Sequence, residues 1–201
     1  MNMPLTISFH RRNLPHWRVA GRPYFVTIRL KNSIPDVKLA EIKAEYDKFS
    51  AEHRDDESLF NYFQRQFMKM ESILDAAEDN LYLSDRDVAD MIMKSIEWIE
   101  INSGWRIPAY VVMPNHVHMF MVGESARRSL DKCLTGFKSH TGRQANKILG
   151  KEGAFWCPEY FDHWCRTPQK EESVKSYIEN NPVKAGLVKK AEDWPWLKII
   201  K

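Results

Sequence analysis

Cysteine is scarce. Cys133, Cys157 and Cys165 make an odd count with no C-x-x-C pair, which argues against a disulfide framework or a zinc ribbon and leaves buried packing as their expected role. A set made of Cys157, His163 and Cys165 matches no zinc spacing. No apolar run approaches the ~18 residues of a membrane-crossing helix, and the start, MNMPLTISFHRRN, holds no signal-peptide core. A cytoplasmic protein is therefore expected. Internal repeats and low-complexity tracts are lacking too, so the 201 residues are expected to form a single domain spanning 1–201.

Net charge is also small, +3, but it conceals a separation. Residues 36–101 carry 17 acidic and 8 basic side chains, and the remainder carries 22 basic and 10 acidic. A basic body with an acidic insert points to a polyanionic partner. The bias is sharpest between residues 126 and 151, where Arg127, Arg128, Lys132, Lys138, Arg143, Lys147 and Lys151 face Asp131 alone among acids up to that point.

Along the chain, HRRNLPHWR (10–18) mixes cations, rings and a proline and reads as an arm or loop. YFVTIRL (24–30) alternates Val26 and Ile28 with Thr27 and Arg29, the period of a strand. Apolar residues at helical spacing, including Leu39, Ile42, Tyr46 and Phe49 and then Phe60, Phe63, Phe67 and Met70, predict helices over 36–80. Ser84 is the expected N-cap of a further helix carrying Val88, Met91, Ile92, Ile96 and Ile99, with Gly104 ending it. Trp105–Met113 and His116–Val122 read as strands joined at Pro114-Asn115. The basic helical region follows, then a fourth strand within 155–166. A last helix, 168–181, starts at Thr167-Pro168 and is stopped by Pro182. The order β, α, β, β, α, β, α predicts an α+β fold: a ferredoxin-like antiparallel sheet with an additional C-terminal helix and a helical insertion at about 36–80.

Two constellations carry chemistry. In VVMPNHVHMFMV (111–122), His116 and His118 sit two apart and so share one face of a strand, with Val117 and Met119 on the other. The strand alone leaves two readings open: histidines satisfied within the core, or ligands of a shared cation. Two imidazoles do not fill a metal's shell, and no third His or Cys lies at structural-zinc spacing. An open site for substrate oxygens follows, with Mg²⁺ or Mn²⁺ the expected ion and other divalent metals possible on imidazole softness. In KSYIENNPVKAGLV (175–188), Tyr177 and Asn181 lie one helical turn apart, although Val174, Tyr177 and Ile178 also make an ordinary core stripe. A tyrosine suits phosphodiester transfer because its phosphate ester keeps the bond energy. A metal on the phosphate oxygens, or a nearby lysine, offsets the high pKa of the phenol.

RRNLPHW, YFVTIRL, YVVMPNHVHMF, the stretch from FKSHTGRQAN through FWCPEYFDHWCR, YIENNPVKAGLV and DWPW together resemble the REP-associated tyrosine transposases. These are single-tyrosine HUH transposases, named for a His-hydrophobe-His motif. The resemblance covers nearly the whole chain except 36–80. It implies a sequence- and structure-specific single-stranded DNA endonuclease and strand transferase that acts at imperfect palindromic, REP-type hairpins and is located at the bacterial nucleoid. In that reading Tyr177 is the nucleophile that takes the 5′ phosphate, and His116, His118 and Asn181 are metal ligands, with Asn181 standing where related transposases carry a glutamine. The family leaves the monomer slightly ahead of the homodimer. For DNA binding the expected residues are Arg11, Arg12, Lys138 and Arg143 on phosphates, with Arg166 beside them. Trp17, Trp105 or Trp164 is expected to stack on bases, and Trp194 and Trp196 to pin the C-terminus. Two competing classes are a DNA-binding regulator that has lost cleavage and a small-substrate metallohydrolase. The latter lacks further ligands in register.

Overall fold

The computed structural model describes residues 6–11, 15–52, 56–123 and 125–200. Their elements are β1 (Thr6–Arg11), β2 (Pro15–Val19), β3 (Tyr24–Arg29), α1 (Asp36–Glu52), α2 (Asp56–Asp75), α3 (Arg86–Ser103), β4 (Arg106–Val112), β5 (His116–Val122), α4 (Leu130–Leu149), β6 (Phe161–Trp164), α5 (Pro168–Lys184) and β7 (Leu197–Ile199). Five strands form one antiparallel sheet in the order β6-β3-β5-β4-β7. Within it β3, β4, β5 and β6, with α3 and α4 as crossovers, make the ferredoxin-like β-α-β-β-α-β unit. β5 lies in the middle and is buried along its whole length.

The period of two along the strands divides the core into two layers. Val26, Ile28, Val117, Met119 and Met121 face α3 and α4, whose stripes include Ile92, Ile96, Leu134 and Phe137. Phe25, Val111 and Phe120 face the other way, against Phe67, Met70 and Leu74 of α2 and Val174 and Ile178 of α5. Each such side chain contributes roughly 1.5–3 kcal/mol on burial, so the acidic insertion is held to the sheet by its own apolar stripe. The insertion is tied at its root by two asparagines with positive φ, Asn32 and Asn80, where Asn80 Nδ2 donates to the Asn32 carbonyl at 3.3 Å.

Several boundaries differ from expectation. Asp85, not Ser84, caps α3 by accepting from the Val88 amide at 3.1 Å, because Ser84 is spent in a 3-10 turn over Tyr82–Ser84. Gly104 does end that helix, at φ 78°, and a side chain there would meet the Ser125 carbonyl. The fourth strand shrinks to Phe161–Trp164, with only a Leu30–Trp156 bridge before it; Pro158 between them has no N–H to give a ladder. α5 begins at the expected cap, Thr167 Oγ1 accepting from the Lys170 amide at 3.2 Å, but runs through Pro182 to Lys184, since one missing N–H near a helix end removes a single bond. Trp105 is buried rather than available for stacking, its indole N–H donating to the Arg128 carbonyl at 2.9 Å. Trp194 and Trp196 do pin the chain end, on the Val112 carbonyl and on Asp90, each at 3.0 Å.

The HRRNLPHWR segment is no simple loop. Its flanks pair as β1 and β2, opposing Phe9 to Trp17, while residues 12–14 lie outside the described residues. What fixes β2 is buried charge that sequence periodicity cannot show. Asp162 on β6 bonds His16 and, at 2.5 Å, Arg18. The same guanidinium reaches Asp131 at 2.6 Å and the Tyr160 hydroxyl at 2.8 Å. Removing one partner of such a cluster strands the others, at a cost of about 3–5 kcal/mol. Arg18→Met is accordingly expected to lower the urea midpoint by that equivalent. Lys38→Met, which breaks an exposed pair with Glu41, should cost under about 1 kcal/mol; equal losses would contradict the role given to Arg18.

Candidate metal and nucleophile site

His116 and His118 project from β5 toward α2 and α5, as the strand period requires, and both are fully buried. Their ring orientations are set from behind. Asn115 donates its amide N–H to the Leu74 carbonyl at 2.8 Å, which turns its Oδ1 to accept from His116 Nδ1 at 2.6 Å. With the proton on Nδ1, the Nε2 of His116 presents a lone pair. His118 Nδ1 shares a hydrogen bond with Thr27 Oγ1 at 2.8 Å across the β3–β5 pair. The two Nε2 atoms then face one another at 3.0 Å.

A third group completes the cluster, and it comes from the insertion. Glu71 on α2 is fully buried, with its Oε2 at 2.9 Å from His118 Nε2 and 4.0 Å from His116 Nε2. Among the described residues this is the one group of three His, Cys, Asp or Glu side chains whose ligand atoms converge, all within 4.8 Å. Cys157, His163 and Cys165 form no such group. Burial would raise the Glu71 carboxyl, but His118, His116 and the Tyr177 phenol outweigh it and hold it below the usual carboxylate range. Burial, together with the neighbouring His118, pushes His116 well below the ordinary imidazole value. A carboxylate and two imidazoles thus converge in one buried cluster.

The donor set fits a divalent cation. Neighbouring ligands on one ion with bonds near ~2.1 Å sit roughly 3 Å apart, as the His118 contacts do. Mixed imidazole and carboxylate ligation suits Mn²⁺ and other first-row divalent ions. Buried atoms left over point the same way: Glu71 Oε1 and both amide atoms of Asn181 have no hydrogen-bond partner among the described residues.

Tyr177 reaches this cluster from α5. Its hydroxyl donates to Glu71 Oε2 at 2.5 Å, and its ring lies 5.6 Å from the His118 ring. Burial, the Glu71 charge and that hydrogen bond raise the phenol pKa, while Asn181, one turn on, works in the opposite direction. Lys184, paired with Asp75 at 2.9 Å, lies 5.6 Å from the phenol ring centroid. The pair His116 and His118 and the pair Tyr177 and Asn181, far apart from each other in sequence, therefore meet in one layer of the molecule.

The residues expected to bind DNA are not all on that face. Lys138 and Arg143 belong to α4, behind the sheet; Lys138 donates to the Pro158 carbonyl at 2.6 Å, and Arg143 is exposed. Trp164 is half-buried on the edge strand β6, with the Arg166 guanidinium 5.1 Å from its ring centroid. Trp17 is half-buried on β2. Of Arg11 only the backbone is described, and Arg12 lies outside the described residues.

Glu71 was missed in the sequence because it sits in an acidic helix. The available signal was its position: Phe67, Met70 and Leu74 make an apolar stripe, and a carboxylate inside that stripe must be buried and partnered.

The model of the family described as "Transposase IS200 like" matches residues 73–181, beginning just after Glu71. A REP-associated tyrosine transposase of Escherichia coli (strain K12) is 26% identical over 106 residues, which is 53% of this chain and 61% of that protein. The match thus spans less than two thirds of the relative's length. A solved structure of a REP-associated tyrosine transposase bound to a REP hairpin aligns over 95% of this chain and 82% of that one, with a TM-score of 0.57 and 19% identity; at that identity the likeness speaks for the fold.

Ligand identity can be separated by titrating Mn²⁺ into the purified protein. Glu71→Gln is expected to weaken binding by more than the ~10–100-fold typical of outer-shell changes, and Asn181→Ala by less. Unchanged binding in Glu71→Gln with loss in Asn181→Ala would move the third ligand to Asn181.

Proposed function

Because the chain belongs to the IS200-like transposase family, we propose that it is a metal-dependent tyrosine endonuclease and strand transferase acting on single-stranded DNA at imperfect hairpins. The observation that carries the reading is the meeting of Tyr177 with Glu71, His116 and His118: a phenol one hydrogen bond, 2.5 Å, from a buried donor set. We assign Glu71, His116 and His118 as metal ligands and Asn181 as a further candidate. Tyr177 is the nucleophile.

A divalent ion, Mg²⁺ or Mn²⁺, supplies charge neutralisation at the non-bridging oxygens of the scissile phosphate. The protein's own groups do the rest. The Tyr177 oxygen, held by its hydrogen bond to the Glu71 carboxylate, attacks phosphorus as its proton is lost to solvent. The P–O3′ bond breaks, the departing 3′ oxygen takes up a proton from solvent water and leaves as a hydroxyl, and the 5′ phosphate remains on Tyr177. Attack by a 3′ hydroxyl on that ester reverses the step and joins strands without ATP. Asn115 and Thr27 keep both imidazoles oriented throughout.

The DNA path follows the charge. Arg127, Arg128, Lys132, Arg143 and Lys147 are exposed along α4 or just before it, while Asp131, the acid among them, is engaged by Arg18. A polyanion held there reaches the site around the β6 edge, past Trp164 and Arg166. The structural relative is bound to a REP hairpin, which supports hairpin DNA as the substrate class. Among the described residues no helix is long and apolar enough to cross a membrane.

Incubation with labelled hairpin DNA and Mn²⁺ should give an adduct that survives denaturant. Tyr177→Phe should abolish it, and His116→Ala should lower its rate by about a hundredfold or more, as expected when several kcal/mol of charge stabilisation is lost. Tight binding with no adduct on any hairpin would favour the non-catalytic regulator instead.

A further inference from the structure

A cleft of about 580 Å³ opens between the insertion and the β6 side of the sheet, and its inner wall includes Thr27 and Glu71. Those two residues also belong to the cluster above, one behind His118 and one beside it. The cleft therefore adjoins the cluster on the Glu71 side, while His116, His118 and Tyr177 do not line it. Its size lies within the ~300–1,000 Å³ range of small-ligand sites.

The lining specifies what enters. Tyr46 of α1, Tyr62 of α2 and Phe161 of β6 contribute rings, with Tyr46 and Tyr62 at 5.8 Å between centroids. Gln66, only 6% exposed, lines the same space. Its Nε2 donates to Glu45 at 2.9 Å, which fixes the amide; its Oε1 has no hydrogen-bond partner among the described residues. A buried acceptor of this kind is relieved by an incoming N–H. Formal charge gives no positive surplus, since Arg29 and Lys43 are balanced by Asp47 and Glu159 once Glu71 is assigned to the metal. A phosphate gains nothing there, whereas a flat, neutral ring with N–H donors gains both stacking and a hydrogen bond.

We propose that this cleft holds one unpaired nucleobase of the DNA strand next to the scissile phosphate, so that the acidic insertion reads the flank of the cleavage point. The inference rests on the nuclease reading. It gives the insertion a substrate-positioning role through Tyr46 and Gln66, in addition to the ligand from Glu71.

The test uses hairpin oligonucleotides in which each unpaired nucleotide on either side of the cleavage point is replaced, one at a time, by an abasic unit. Adduct rates are measured in Mn²⁺ for the full-length wild type, Gln66→Leu and Tyr46→Leu. In the wild type one abasic position should slow the adduct about tenfold, the size of a lost base–aromatic stack. The two variants should be slowed on intact DNA and lose little more on that abasic substrate, because the contact is already gone. Tyr46 is half-exposed on α1, so its replacement keeps the comparison sound should Gln66→Leu fold poorly. Robust adduct formation with no abasic position slower than the rest overturns this inference alone, as does an abasic loss undiminished in both variants. No adduct from the wild type on any substrate overturns the nuclease reading and this inference with it.

Discussion

Three potential ligand atoms, Glu71 Oε2 and the Nε2 atoms of His116 and His118, are packed within 4.8 Å of one another among buried side chains. Such an arrangement is repulsive unless a cation or protons sit among the acceptors, and an unpaired buried charge costs several kcal/mol. The surrounding structure is organised to hold it anyway. The Asn115 amide is fixed by a carbonyl of α2 and in turn fixes His116; Thr27 holds His118 from the neighbouring strand; the Phe67, Met70 and Leu74 stripe presses α2 onto the sheet. A cation gives this expense a purpose, and Tyr177 directed at the same carboxylate gives it a chemistry.

The insertion thereby changes from an accessory to a component of the site. In the proposed reading a His-hydrophobe-His pair on the central strand offers two ligands and no more, and Tyr177 of α5 is the nucleophile. The third converging group arrives on α2, where Glu71 lies just before the stretch matched by the family. The insertion also walls the cleft beside Glu71, so in the proposed function it would couple ligand supply to access of the strand being cut. Its root, pinned by Asn32 and Asn80, keeps that element in register with the sheet.

Much of this was legible in the residue pattern. YFVTIRL and HVHMFMV declare strands through their period of two, and that period alone places both histidines on one face. The order of elements was enough for the ferredoxin-like sheet, and the Pro-Asn turn for its hairpin. What escaped depended on tertiary charge or on sparing use of a rule. β2 is held by Asp162 and Asp131, more than a hundred positions away in the chain, so HRRNLPHWR looked like a loop. Pro182 predicts a stop, yet a helix tolerates one lost N–H in its last turn. Glu71 looked like one acid among many in a solvated helix until its neighbours turned out to be Phe67, Met70 and Leu74. Asn181 lies one helical turn from Tyr177 and acts on its phenol.

The claim on which the rest stands is that the insertion and the central strand jointly hold one divalent ion. Anomalous diffraction from crystals of the protein grown with Mn²⁺ tests it most directly. The account predicts a single strong peak within bonding distance, about 2.0–2.3 Å, of Glu71, His116 and His118, adjacent to the Tyr177 oxygen. A peak bonded to the histidines but away from Glu71, or no peak at the cluster at saturating Mn²⁺, would contradict it.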